Sequence, residues 1–388
     1  MMREMDFVDE YYADKDLSLL KKLTLVIPTY NRNYYLSRCL WYHAHFPFGE
    51  IIVADSSPEE KKVVNRETVQ KIREKFGANV RYLEYEPETE KYGGDIYRKW
   101  GDAVQHVETE YSQICTDKEF EIPTTSCQMI CFLDKNPDYA VADGSYYYIE
   151  VKKGKSCYYH ARENQRAIPT EDPSISLLLS NYCNAHPLLS IHRTKLHKSN
   201  YEIMIQNGIS TLGFGEISLE LLDIMSGKYY HASDLCYLCR DLSNNVSHWG
   251  IKLSESSYSR YPSIYNYGNE LFQKEYDLMQ SSLLEKLERS GICRPDIDSL
   301  LSVYLPIYLA EREKYSRPLL LRYPYLSIIW MLIPQIFKKN IQKHIDNIKG
   351  LNSSTPSVEI RIVEIEIITN YIKSTMKNHK FDKIIDIV

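Results

Sequence analysis

The chain has 388 residues, 44% of them hydrophobic and 26% charged, which is enough to bury a full-sized core and excludes a disulfide miniprotein or a disordered tail. Lys+Arg 47 against Asp+Glu 52 gives a formal charge of -5 with no local basic stripe, so no nucleic-acid partner is expected. Modest Gly 15 and Pro 16, without a fixed-period repeat, exclude solenoids and low-complexity scaffolds.

Residues 1–21 read as an acidic, polar leader without the basic and apolar regions of a signal peptide, so a cytoplasmic location is expected. Nine scattered cysteines agree with a reducing compartment, and Cys236-x-x-Cys239 reads as packed or free thiols rather than half a zinc site. Leu23–Pro28 is a compact apolar run stopped by proline and reads as a buried parallel strand ending in Thr29-Tyr30-Asn31-Arg32. Tyr34–His43 has helical spacing, and Glu50–Ala54 is a second strand ending at Asp55-Ser56-Ser57-Pro58. The pattern continues with a charged helix over Lys61–Phe76, a strand over Val80–Tyr85, a helix over Asp95–His106 and a strand over Tyr111–Cys115. That fourth strand ends in the acidic turn Thr116-Asp117-Lys118-Glu119.

Beyond it, Pro123–Asp134 reads as a helix and Tyr139–Tyr148 as a strand with a bulge at Gly144. Between Val151 and His197 the signal weakens to a turn at Lys152–Lys155 and a helix over Ser174–Tyr182. Gly213-Phe214-Gly215-Glu216 introduces a helix over Ile217–Met225, and Tyr230–Arg240 reads as a last strand. Residues 249–388 read as mostly helical, with helices over Ser263–Arg289, Ile297–Lys314, Leu326–Lys343 and Pro356–Lys377. Leu319–Phe337 is the most apolar stretch, but Arg322, Pro324 and Pro334 interrupt it, so no transmembrane helix is expected. Residues 319–339 combine aromatics, an apolar body and a basic edge, which would suit either a peripheral membrane contact or packing on protein.

Alternating strands and helices predict an α/β fold with an open sheet, whose ligand site lies outside the carboxyl ends of its strands. Thr29–Arg32, Asp55-Ser56 and Asp117–Glu119 all fall at such ends.

Val26–Arg32, Ile52–Ser57, Gly93-Gly94 through Arg98, and Cys115–Pro123 together resemble a family 2 GT-A (Rossmann-like) glycosyltransferase. Phe132–Gly144 is similar to a bacterial subfamily associated with surface polysaccharides, capsule or lipopolysaccharide. The resemblance spans roughly residues 22 to 245 and sets the expected catalytic domain at 22–248. It implies transfer of a sugar, with inversion, from a nucleotide-sugar donor to a glycan or lipid-linked glycan acceptor, at the inner face of the cell membrane or in the cytoplasm. By that resemblance Pro28, Thr29, Tyr30, Asn31 and Arg32 embrace the nucleoside with Ser56, and Asp55 accepts a hydrogen bond from the base. Gly94 and Arg98 reach phosphate, and Asp117 and Glu119 hold Mn2+ or Mg2+ through hard oxygen donors.

The family usually has Asp-x-Asp where this chain has Asp117-Lys118-Glu119, so Lys118 either points away or takes part of the cation's work on phosphate. Glu216 matches the acidic residue that takes the acceptor proton. His231 and His248 are further candidates for the metal shell. Two rival classes are a nucleotidyltransferase, against which the glycine-free Pro28–Arg32 loop counts, and a degenerate transferase serving as a scaffold. The sequence leaves the donor nucleotide, the acceptor and the oligomeric state undetermined.

Overall fold

The computed structural model describes residues 6–87, 95–152, 155–160, 165–183, 185–243, 270–293, 297–302 and 362–377. Asp6–Tyr12 forms α1, and a short 3-10 turn over Ser18–Lys22 leads into β1 (Leu23–Thr29). Then follow α2 (Asn33–His43), β2 (Glu50–Asp55), α3 (Glu59–Phe76), β3 (Val80–Glu84), α4 (Asp95–Gln105) and β4 (Tyr111–Ile114). The next elements are β5 (Glu119–Glu121), α5 (Pro123–Lys135), β6 (Tyr139–Lys152), β7 (Lys155–His160) and α6 (Pro173–Cys183). After these come β8 (Ile191–Arg193), α7 (Thr194–Gln206), α8 (Leu212–Ile224) and β9 (Lys228–Asp241), and two further helices are α9 (Glu270–Arg289) and α10 (Ile362–Lys377).

The strands form one mixed sheet in the order β3-β2-β1-β4-β8-β6-β9-β5, with β7 paired to β6. This is the α/β class expected from the alternation. β1 and β2 are buried at every position, as apolar strands covered on both faces must be. β1, β2, β3 and β4 are parallel, and β8 runs antiparallel between β4 and β6. The chain steps from β1 through β2 to β3 and then returns to place β4 on the other side of β1, so the order 3-2-1-4 reverses direction between β1 and β4. In open α/β sheets the ligand crevice lies outside the strand ends at such a reversal, which is where a site is expected here.

Several expectations are refined. Glu119 is not part of a turn: it starts β5, whose partner on β9 is Arg240, because the backbone after Lys118 continues the sheet. The bulge at Gly144 is present as a register shift, and a Cβ there would lie 2.4 Å from the Leu235 carbonyl oxygen. β7, β8 and the first turn of α7 lie in the weakly patterned stretch, where β8 is only three residues long and its alternation is too short to read. The described part of the leader packs on the core, where Val8, Tyr12, Leu17 and Leu20 are buried.

The helix expected from Ile217 begins at Leu212, so both glycines and Glu216 lie inside α8. Glycine is costly within a helix, but here close packing requires it: a Cβ on Gly215 would lie 2.3 Å from the Tyr97 ring of α4. Tyr97 cannot swing aside freely, being buried with its hydroxyl donating to the Leu212 carbonyl at 2.8 Å. Gly215→Ala should therefore cost about 1–3 kcal/mol through overpacking. Denaturant unfolding checks this, and a cost near zero would show that the α4–α8 contact yields.

α9 lies within the expected Ser263–Arg289 helix and packs on α8 and α7. Its Glu275 carboxylate accepts the Thr211 N–H at 3.1 Å and hydroxyl at 3.0 Å, bracing the start of α8. α10 lies within the expected Pro356–Lys377 helix and packs on β6 and β9. Most of the other two expected C-terminal helices, including 319–339, lies outside the described residues. Among the described residues no helix is long and apolar enough to cross a membrane. Cys236 and Cys239 are buried free thiols with sulfurs 3.7 Å apart.

Candidate functional site

The ends of β1 and β2 and the turn after β4 converge as expected. Thr29 ends β1, and its hydroxyl donates to Asp117 Oδ2 at 2.8 Å. Asn31 takes a left-handed backbone, φ 53°, which asparagine tolerates better than most residues, and its N–H donates to Ser57 Oγ at 2.8 Å. That reversal starts α2 at Asn33 and turns Arg32 inward. The Arg32 guanidinium meets Asp117 at 2.5 Å through Nη2 and at 3.1 Å through Nε. Pro28 is buried within β1, while Tyr30 is half-buried and Asn31 is exposed.

Asp55, at the end of β2, is fully buried and organises its own loop. Its Oδ1 accepts the Ser57 N–H at 2.7 Å, and its Oδ2 accepts Asn65 Nδ2 at 2.7 Å and the Tyr82 hydroxyl at 2.5 Å. Ser56 faces Lys99, whose ammonium donates to Ser56 Oγ at 2.7 Å and to the Thr29 carbonyl at 3.1 Å. Thus Lys99 ties β1 to β2 at the site. Arg98, the residue expected there, is exposed.

Helical phase explains the exchange. Ile96, Lys99, Trp100 and Ala103 share the buried face of α4, so the signal for Lys99 was present in the periodicity. Gly94 and His248 lie outside the described residues.

Asp117, Lys118 and Glu119 are all buried. Glu119 Oε2 accepts the Thr116 N–H at 2.5 Å, while Oε1 accepts the Tyr146 hydroxyl at 2.9 Å and pairs with Arg240 Nη1 at 3.3 Å. The Lys118 ammonium lies 4.3 Å from the centre of the Tyr35 ring, which the Arg32 and Arg38 guanidinium groups also approach, at 5.9 and 6.0 Å. Burial pushes the Asp117 carboxyl up from its ordinary value, and the Arg32 guanidinium opposes that shift. Burial pushes the Lys118 ammonium down to about 8, and the Arg32 and Arg240 charges add to the shift.

A divalent cation would need oxygens from Asp117 and Glu119. Each of those carboxylate oxygens already faces a protein donor, and both side chains are 0% exposed. This donor set, as arranged, does not fit Mn2+ or Mg2+, which bind through open oxygens and usually keep several waters in the magnesium case.

Beneath the turn, Cys39, His43 and Cys115 are buried with potential ligand atoms within 4.8 Å of one another. Both imidazole nitrogens are engaged by backbone: Nδ1 donates to the Cys39 carbonyl at 2.8 Å and Nε2 accepts the Glu121 N–H at 3.2 Å. Both thiols point at the Thr116 and Glu119 carbonyls, so the trio props the turn from behind.

Beside it, burial pushes the Glu121 carboxyl from 4.5 up to about 8, despite hydrogen bonds from Ser126 and Gln113. The folded state then holds a proton that the unfolded state has lost between pH 4.5 and 8, so stability falls as pH rises through that window. Taken alone, this group should remove about 2 kcal/mol between about pH 6 and 8. Glu121→Gln should flatten that part of the stability–pH curve, and an unchanged slope would assign it to other groups.

Glu216 is half-buried on α8, beside the glycine that packs on Tyr97 and near the end of α4 that carries Lys99. His231, on β9, directs Nδ1 at Asp143 Oδ1, 2.7 Å away. The same carboxylate also accepts from Tyr229, Gln165 and Ser190. His231 therefore belongs to the Asp143 cluster. Sequence reasoning also missed Arg38 and Asp241, a fully buried ion pair at 2.8 Å joining α2 to the end of β9.

No protein-family profile matches the chain, and no curated protein matches it in sequence. Among solved structures it is similar to S. aureus TarS in complex with UDP-GlcNAc, at 16% identity over 74% of this chain and 72% of that one, with a TM-score of 0.47. It is also similar to the mannosyltransferase PcManGT from Pyrobaculum calidifontis in complex with GDP-Man and Mn2+, at 14% identity, 80% and 83% coverage and a TM-score of 0.37.

Proposed function

We propose that the chain is a nucleotide-sugar-dependent glycosyltransferase of GT-A type. The observation that carries this reading is the meeting of Thr29, Arg32, Lys99 and Lys118 at the reversal of strand order between β1 and β4. A nucleoside diphosphate carries its charge on compact phosphates, and buried cations at strand ends are the chemistry that receives them. The loop Pro28–Arg32 and the rigid Asp55–Ser57 turn would hold the nucleoside. Glu216 on α8 would face the acceptor.

In the reaction we assign, the acceptor hydroxyl oxygen forms a bond to the anomeric carbon as the bond to the diphosphate oxygen breaks. The leaving nucleoside diphosphate takes the electron pair, and Glu216 takes the acceptor proton, giving inversion. The acceptor we assign is a hydroxyl of a bacterial surface glycan, free or lipid-linked, met at the inner face of the membrane.

Thermal unfolding with UDP, GDP, TDP and CMP tests the donor class, because a ligand that binds only the folded state raises the midpoint. One nucleotide should stabilise the protein, and the matching sugar nucleotide should be consumed when a glycan acceptor is added. The internally paired Asp117 and Glu119 favour a second reading, a nucleotide-binding scaffold. Binding without turnover on any acceptor would select it.

A further inference from the structure

Given the transferase reading, we infer that this protein holds the donor diphosphate with its own cations, Arg32, Lys99 and Lys118, and needs no divalent metal to bind it. The argument starts from the carboxylates. Asp117 faces Arg32 with both oxygens and also accepts from Thr29, while Glu119 is held by the Thr116 N–H, Tyr146 and Arg240. A metal would have to displace an arginine contact from each carboxylate.

Charge points the same way. The residue between the two carboxylates is a lysine whose ammonium shares the Tyr35 ring with the Arg32 guanidinium. A divalent ion placed among these groups meets like charge at short range, and little solvent is present to screen it. A diphosphate meets a net positive cluster instead, because Arg32 and Arg240 offset Asp117 and Glu119 while Lys99 and Lys118 add two further cations. Lysine supplies a compact point charge and arginine a planar fork, and both are established phosphate partners. Lys99 completes the set, because its ammonium bridges the ends of β1 and β2. The cationic side chains thus occupy the role that hard oxygen ligands and a metal would otherwise share: they neutralise the diphosphate as it leaves.

The test is calorimetric titration of the full chain with UDP and GDP, in EDTA and then with Mg2+ or Mn2+. The nucleotide that binds should do so with a dissociation constant in EDTA within about twofold of its value with metal, a difference well under 1 kcal/mol. Binding that weakens about tenfold or more in EDTA and returns with metal overturns the inference and leaves the transferase reading standing. Failure of every nucleotide to bind, with or without metal, sinks both. Lys118→Met supplies an independent arm. It should weaken the nucleoside diphosphate about tenfold or more while leaving the corresponding nucleoside unchanged, a split that loss of local structure would not produce. Equal affinity of Lys118→Met and the unaltered chain for the diphosphate would also overturn the inference.

Discussion

Replacing Arg38 by methionine should cost about 3–5 kcal/mol of folding stability, because it strands the Asp241 carboxylate without its partner. The guanidinium and the carboxylate are 1% and 0% exposed and meet at 2.8 Å. Arg38 also lies 5.0 Å from the Tyr34 ring and 5.8 Å from the Phe120 ring, so its planar group packs as well as pairs. Its carbonyl accepts the Tyr371 hydroxyl of α10 at 2.7 Å, and the Asp241 N–H donates to the Lys118 carbonyl at 2.9 Å. The pair therefore joins α2, β9, the C-terminal helix and the backbone of the site. The double variant Arg38→Met with Asp241→Leu should recover much of the loss, since a buried ion pair is often replaceable by apolar groups when both partners go. Denaturant unfolding of the two singles and the double closes the cycle. A single-variant loss below about 1 kcal/mol would mean that water reaches Asp241.

Glu216→Gln should lower kcat for sugar transfer by about 10²–10⁴ while leaving nucleotide affinity close to that of the unaltered chain. The amide keeps the shape of the side chain and cannot take a proton, so the change isolates the acid–base role assigned to it. In the proposed reaction the base acts on the acceptor and not on the nucleotide, which is why binding and turnover should separate. Equilibrium titration with the nucleotide and initial rates with the sugar donor measure the two quantities. If kcat survives, the proton goes elsewhere, and the hydrogen-bonded His231–Asp143 pair becomes the next group to alter. If affinity collapses with kcat, Glu216 supports the fold of α8 instead.

Strand–helix alternation up to Pro123 was legible because buried parallel strands such as Leu23–Thr29 are short apolar runs bounded by polar turns. β8 was missed because a three-residue strand has no period to detect and its neighbours set its place. Arg98 was singled out for its chemistry alone, whereas the phase of α4 buries the adjacent Lys99 against the ends of β1 and β2 and leaves Arg98 exposed.

By itself, then, the sequence determined the α/β class, the three loops that meet at the strand ends and the bulge at Gly144, all of which follow from local pattern and backbone chemistry. Only the tertiary structure decided what each charge is paired with. Arg32 lies 85 positions from Asp117, and Arg38 lies far from Asp241 in the chain, yet each pair closes at a short distance once the sheet orders its strands. A carboxylate's readiness to accept a metal depends on the donors already around it, and those donors arrive from other strands and helices.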